Sequence, residues 1–135
     1  MDQLLLTADD TRFFAPRDWI DESVRPRITG ERWVVRVLAE TLLAEGFSLR
    51  VWEGEDWACA LTTDLDVVMD NIMSTDEDTL YVYKGNGEDK PKRIGCVLFV
   101  YGNMANEVVN DYSVALEPYM KPADDVMEKL LEMNL

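Results

Sequence analysis

Carboxylates dominate the side chains that could do chemistry in this chain, because it contains no histidine. That absence removes the Ser-His and Cys-His nucleophile pairs, the His-based zinc sites and the commonest general base near neutral pH. The two cysteines, Cys59 and Cys96, stand 37 positions apart with no CxxC companion, which also excludes a thiolate zinc site or a thioredoxin-like motif. Carboxylate, hydroxyl, Lys and Arg chemistry remains. A pair of carboxylates can hydrolyse a glycosidic bond, yet no motif singles out a pair here and the chain is short for a saccharide cleft. A small carboxylate-dependent hydrolase is therefore an alternative reading, and the leading one is non-enzymatic, with no cofactor.

The acids are unevenly placed. The chain carries 27 acidic and 13 basic side chains, a formal net charge of −14. Residues 47–78 hold nine acids against Arg50 alone, and so more than half of the net charge. The dense positions are Glu53, Glu55 and Asp56, then Asp64, Asp66 and Asp70, then Asp76, Glu77 and Asp78. The functional expectation is a docking surface for a basic protein partner; the plainer alternative is a solvated face that keeps an apolar protein soluble. Asp64, Asp66 and Asp70 lack the ladder of oxygen ligands, central Gly and closing Glu of an EF-hand loop, so no metal is expected. Direct nucleic-acid binding is disfavoured, since phosphate contacts supply most of that affinity and this chain repels the backbone. A nucleic-acid mimic that inhibits a host defence or DNA-binding protein is a second alternative. It would be a small one, because 14 negative charges match only about seven base pairs of duplex.

Two further features carry simpler explanations. Lys84-Gly85-Asn86-Gly87, followed by Lys90, Lys92 and Arg93, is Gly-rich and basic, but a phosphate loop needs GxxxxGK[ST] between a strand and a helix. Here the glycines suit a hairpin turn, and the four positive charges suit an acidic neighbour such as the 47–78 face of a second copy, so a homodimer is possible. Tyr81 and Tyr83 share one strand face, and Phe99 and Tyr101 another with Val97, with Trp52 a candidate to join them. An RNA-stacking sheet needs basic surroundings, so these rings are expected to be core beneath a helix.

The elements that must position these residues follow from hydrophobic spacing. Val34, Val35, Leu38 and Leu42 recur at three-to-four spacing and predict a helix over 31–45, with Gly46 as its stop. Phe47, Leu49 and Val51 alternate with Ser48, Arg50 and Trp52, predicting a strand over 47–52, and 57–61 is expected as a short strand. Thr63 is the expected cap of a helix over 64–73 with Leu65, Val68, Met69 and Ile72 on its apolar stripe. Strands are predicted over 79–84 and 92–101, joined by a polar loop over 85–91. A last helix starts near Pro122 and runs through Val126 and Leu130, and a helical turn is expected around 114–119. Residues 1–30 read as an irregular segment pinned by Phe13, Phe14 and Trp19. The sum is an α+β fold: an antiparallel sheet of three to four strands with about three helices packed on it.

At 135 residues and 15.5 kDa, with 47% hydrophobic side chains, the chain suits a single domain over 1–135. No apolar stretch approaches the ~20 residues of a membrane span, and Asp2, Asp9 and Asp10 do not make the basic start of a secretory signal. Each cysteine sits in an apolar run, as expected of reduced, buried thiols in a cytoplasmic protein.

The segments Val100-Tyr101-Gly102-Asn103, Asn110-Asp111-Tyr112-Ser113 and Lys121-Pro122-Ala123 are similar to segments of small uncharacterised phage and prophage proteins. The resemblance covers the C-terminal third and brings no catalytic residue. It implies a phage origin and, as with many small acidic phage proteins, an inhibitor of host machinery.

Overall fold

A computed structural model of the chain describes residues 22–85 and 90–135. The expected N-terminal anchors Phe13, Phe14 and Trp19, and the centre of the hairpin loop, Asn86 to Asp89, lie outside the described residues. A 3-10 turn, Glu22–Val24, leads into α1 (Arg25–Ala44), β1 (Ser48–Trp52), α2 (Leu65–Asp70), β2 (Glu77–Lys84) and β3 (Lys92–Val100). A 3-10 turn at Ala105–Glu107, β4 (Val109–Tyr112), a 3-10 segment at Val114–Tyr119 and α3 (Lys121–Glu132) complete the order. The four strands form one antiparallel sheet in the order β1-β2-β3-β4. The expected α+β class holds.

The first helix begins six residues earlier than its spacing predicts, so residues 25–30 are not irregular. Pro26 lies in the first turn, where a helix N–H has no intrahelical partner to lose. Gly30 is buried where a Cβ would come within 2.9 Å of both Ala105 Cβ and Leu130 Cδ2. It is a packing glycine, not a breaker. At the other end Gly46 adopts φ +91°, Phe47 N–H bonds Leu42 O at 3.2 Å and Gly46 N–H bonds Leu43 O at 3.0 Å. This pair of bonds is a Schellman stop.

Strand register divides the sheet into two unlike faces. Leu49 pairs with Val82, Val51 with Leu80, and Leu80 with Val97; these side chains and Phe99 are buried with Trp33, Leu38 and Leu42 of α1. Ala123, Val126 and Leu130 join the same core from α3, as do Val68 and Met69 from α2 and Ile72 just beyond it. The opposite face carries Arg50, Trp52, Tyr81, Tyr83 and Arg93, because they occupy the alternate positions. The aromatic residues are thus split: Phe99 is core, whereas Tyr81 and Tyr83 are half-buried on the outer face.

Three further expectations are corrected. Residues 57–61 form no strand; two isolated bridges, Trp52 to Trp57 and Leu49 to Thr62, hold the segment beside β1. α2 stops at Asp70 instead of 73, and its cap is Asp64, whose carboxylate accepts the Asp66 N–H at 2.9 Å. Cys59 and Cys96 are both free, and half-buried instead of buried. β4 adds a strand that the hydrophobic spacing does not predict. Among the described residues no helix is long and apolar enough to cross a membrane.

Candidate functional site

Part of the acidic segment, the turn 53–56 and the stretch 70–75, is brought together beside the cleft that follows β1. After β1 the chain turns tightly: Glu53 N–H bonds Asp56 O at 2.9 Å, with Gly54 at φ +110°. This turn is tied to the approach to β2, since Ser74 Oγ donates to the Glu53 carboxylate at 3.1 Å and Thr75 Oγ1 to the Glu53 carbonyl at 2.8 Å. Between them lies an open cleft of about 330 Å³. Glu53, Asp56 and Asp70 supply its carboxylates, Ser74 a hydroxyl, and Trp57 and Ile72 an apolar wall.

The nine expected docking residues do not behave alike. Glu53, Asp56 and Asp70 meet at the cleft. Glu55, Asp76 and Glu77 are exposed on the flanking turn and strand start. Asp64 and Asp66 are exposed at the opposite end of α2 from Asp70, and Asp64 is engaged as the helix cap. Asp78 is not on a docking surface: it lies in β2, pairs with Phe99 and is 1% exposed. The ion pairs seen among the described residues, Arg27–Glu31, Arg36–Glu40 and Lys121–Asp125, leave the cleft carboxylates unneutralised. Nor do any three described carboxylates or thiols come together as a metal-binding group.

Asp78 belongs instead to a buried polar network. Its Oδ2 accepts the Tyr101 hydroxyl at 2.6 Å and the Met73 N–H at 2.8 Å, while Oδ1 has no hydrogen-bond partner. Burial raises the Asp78 carboxyl to about 6 against the pull of those two donors, and the charges of Glu53 and Glu77 push it further up. Burial and then the Asp78 charge hold the Tyr101 phenol well above its ordinary value, so it stays a donor. Glu31 is fully buried and also raised by burial, opposed by the Gly102 N–H at 2.9 Å and by Arg27. The bond from Asp78 fixes Met73, which has φ 65° and stands between the two cleft residues Ile72 and Ser74. The acid thereby anchors the backbone between two residues that line the cleft.

On the outer sheet face, cations and rings are stacked. The Arg50 guanidinium lies 3.9 Å over the Trp57 ring, and its Nε donates to Cys59 O at 3.1 Å. Trp57 meets Trp52 and Tyr81 edge to face at 5.1 and 5.3 Å. Arg93 lies 4.1 Å over Tyr81 and donates to the Tyr83 hydroxyl at 3.2 Å. Cation–ring contacts of this kind are worth roughly 0.5–1 kcal/mol at exposed sites. The alternation of Tyr81 and Tyr83 with Leu80 and Val82 is the sequence signal for this face. No family model matches the chain, and no curated protein or solved structure shows significant similarity to it.

Proposed function

We propose that this chain is a non-enzymatic binding protein whose acidic rim, from Glu53 to Asp56 and from Asp70 to Glu77, docks a basic protein partner. The observation that carries this reading is the cleft: Glu53 and Asp56 of the turn after β1 converge with Asp70 of α2 beside Trp57, with no basic side chain among its lining residues. A Lys or Arg entering there would meet carboxylates from both stretches. The stretches are also tied together by the Ser74 and Thr75 bonds to Glu53, so little ordering remains to be done on binding. Asp78 has no direct contact role in this reading.

Its test compares two sets of isosteric amides. Glu55→Gln, Asp56→Asn, Asp70→Asn and Asp76→Asn neutralise the rim. Glu117→Gln, Asp124→Asn, Glu128→Gln and Glu132→Gln remove the same charge elsewhere on exposed positions. Each set is immobilised and exposed to extract of the native host. Partner capture lost only with the rim set supports the proposal. Equal loss with both sets would mean that net charge alone matters, and capture unchanged by either would leave the rim as solubilising surface.

A further inference from the structure

The outer face of the sheet has Glu77 at one end, and toward the other its rings carry two cations, Arg93 over Tyr81 and Arg50 over Trp57. Along β2 the outward positions run Glu77, Thr79, Tyr81, Tyr83, and Tyr83 pairs with Arg93 on β3. Glu77 and Arg93 are both exposed. Six residues of antiparallel strand separate Glu77 from Tyr83, about 20 Å. Tyr81 and the Trp57 ring that meets it edge to face sit near the middle. Among the described residues the helices join the core of the other face, and none of them covers these rings.

We infer that this face is the contact surface for a second copy of the chain, with the two sheets apposed and their strands antiparallel. Such a two-fold arrangement needs a self-complementary patch, in which each residue meets its counterpart's opposite. Glu77 of one protomer then meets Arg93 of its partner, twice, on either side of an aromatic centre formed by Tyr81 and Trp57. Aligned sheet packing of this type keeps the strand directions within about 30°. A four-stranded face of this length covers roughly 400 Å² per copy, about half of what a standard specific interface buries on each partner. The dimer is therefore weak and concentration-dependent. The net charge of −14 per chain opposes approach at low salt, and screening beyond about 10 Å at 0.1 M removes most of that repulsion while the close Glu77–Arg93 pairs persist. Glu77 and Trp57 belong to the proposed rim as well, so this pairing and rim docking would compete along that edge.

The test is sedimentation of the full chain at about 5 to 500 µM, near neutral pH and in about 0.15 M salt. The parent should pass from monomer to dimer within that range. Arg93→Glu alone and Glu77→Arg alone should each raise the dissociation constant about tenfold or more, since each turns two attractive pairs into repulsive ones. An equimolar mixture of the two variants should recover the dimer, because the hetero-pair restores both attractions. That recovery cannot come from a folding defect in either variant. A parent that stays monomeric throughout, a dimer indifferent to both changes, or a mixture that remains monomeric would overturn the proposal. Arg93→Glu touches no rim residue, so rim binding read on that variant lets either proposal fail alone.

Discussion

Replacing Asp78 with Asn should change how stability depends on pH. The carboxyl stands at about 6 in the folded protein against about 3.9 in an unfolded chain. A raised acid keeps its proton longer in the native state, so between those values the native state binds more protons and stability falls as pH rises. The full fall due to this group is about 2 pH units at 1.36 kcal/mol each, or about 3 kcal/mol, complete above pH 6. The amide of the variant does not titrate. Its oxygen can take the place of the Asp78 oxygen that accepts from Tyr101 and Met73, and its NH₂ would fall where the unpartnered oxygen lies, costing about 1–3 kcal/mol as a buried unmet donor. Urea unfolding of parent and variant at pH 4, 5, 6 and 7 isolates the effect. Glu31 and the surface acids titrate in both proteins and largely cancel in the difference. The variant should lie below or near the parent at pH 4 and gain on it by about 2 kcal/mol by pH 7, since part of the fall already lies below pH 4. Parallel curves across the window would refute the argument that Asp78 is held unfavourably ionised.

Other outcomes follow from the same contacts. Gly30→Ala should destabilise by about 1–3 kcal/mol in urea unfolding, because its methyl would overlap Ala105 and Leu130. Asp64→Ala should cost about 1 kcal/mol by removing the acceptor for Asp66 N–H at the start of α2, read as a lower thermal midpoint. A chelator such as EDTA should leave the melting temperature unchanged, since no described carboxylate group is arranged to hold a metal; a fall of several degrees restored by Ca²⁺ or Mg²⁺ would contradict this.

Much of the fold is legible where local pattern and tertiary environment agree. β2 and β3 alternate apolar and polar positions, and α1 and α3 keep helical spacing; these elements match within a few residues except at the start of α1. There Pro26 and Gly30 look like breakers in sequence. Only the packing of Ala105 and Leu130 against Gly30 explains the glycine, and no local signal carries that. β4 is four residues long with two exposed polar positions, Asn110 and Asp111, too short and polar to announce a strand. Asp78 shows the limit for the site. Asp76-Glu77-Asp78 reads as a surface run, but β2 begins at Glu77, and extending the Val82, Leu80 alternation one step back puts Asp78 on the core face opposite Phe99. The charge count finds the cleft carboxylates Glu53, Asp56 and Asp70, but it cannot reveal that a buried acid anchors the backbone between two residues that line the cleft. Trp57 reads as a strand residue in sequence. Its role as a ring bridging Arg50, Trp52 and Tyr81 depends on a loop geometry that sequence spacing does not encode.

The claim that the acidic rim receives basic groups is tested most directly by titrating an octa-lysine peptide into the isotopically labelled chain and following its amide resonances. The account predicts saturable shifts concentrated in residues 53–58 and 70–77, with the Trp57 indole among the largest, weakening steeply as salt rises. Shifts spread equally over the exposed carboxylates of α3, or none at the cleft, would contradict it.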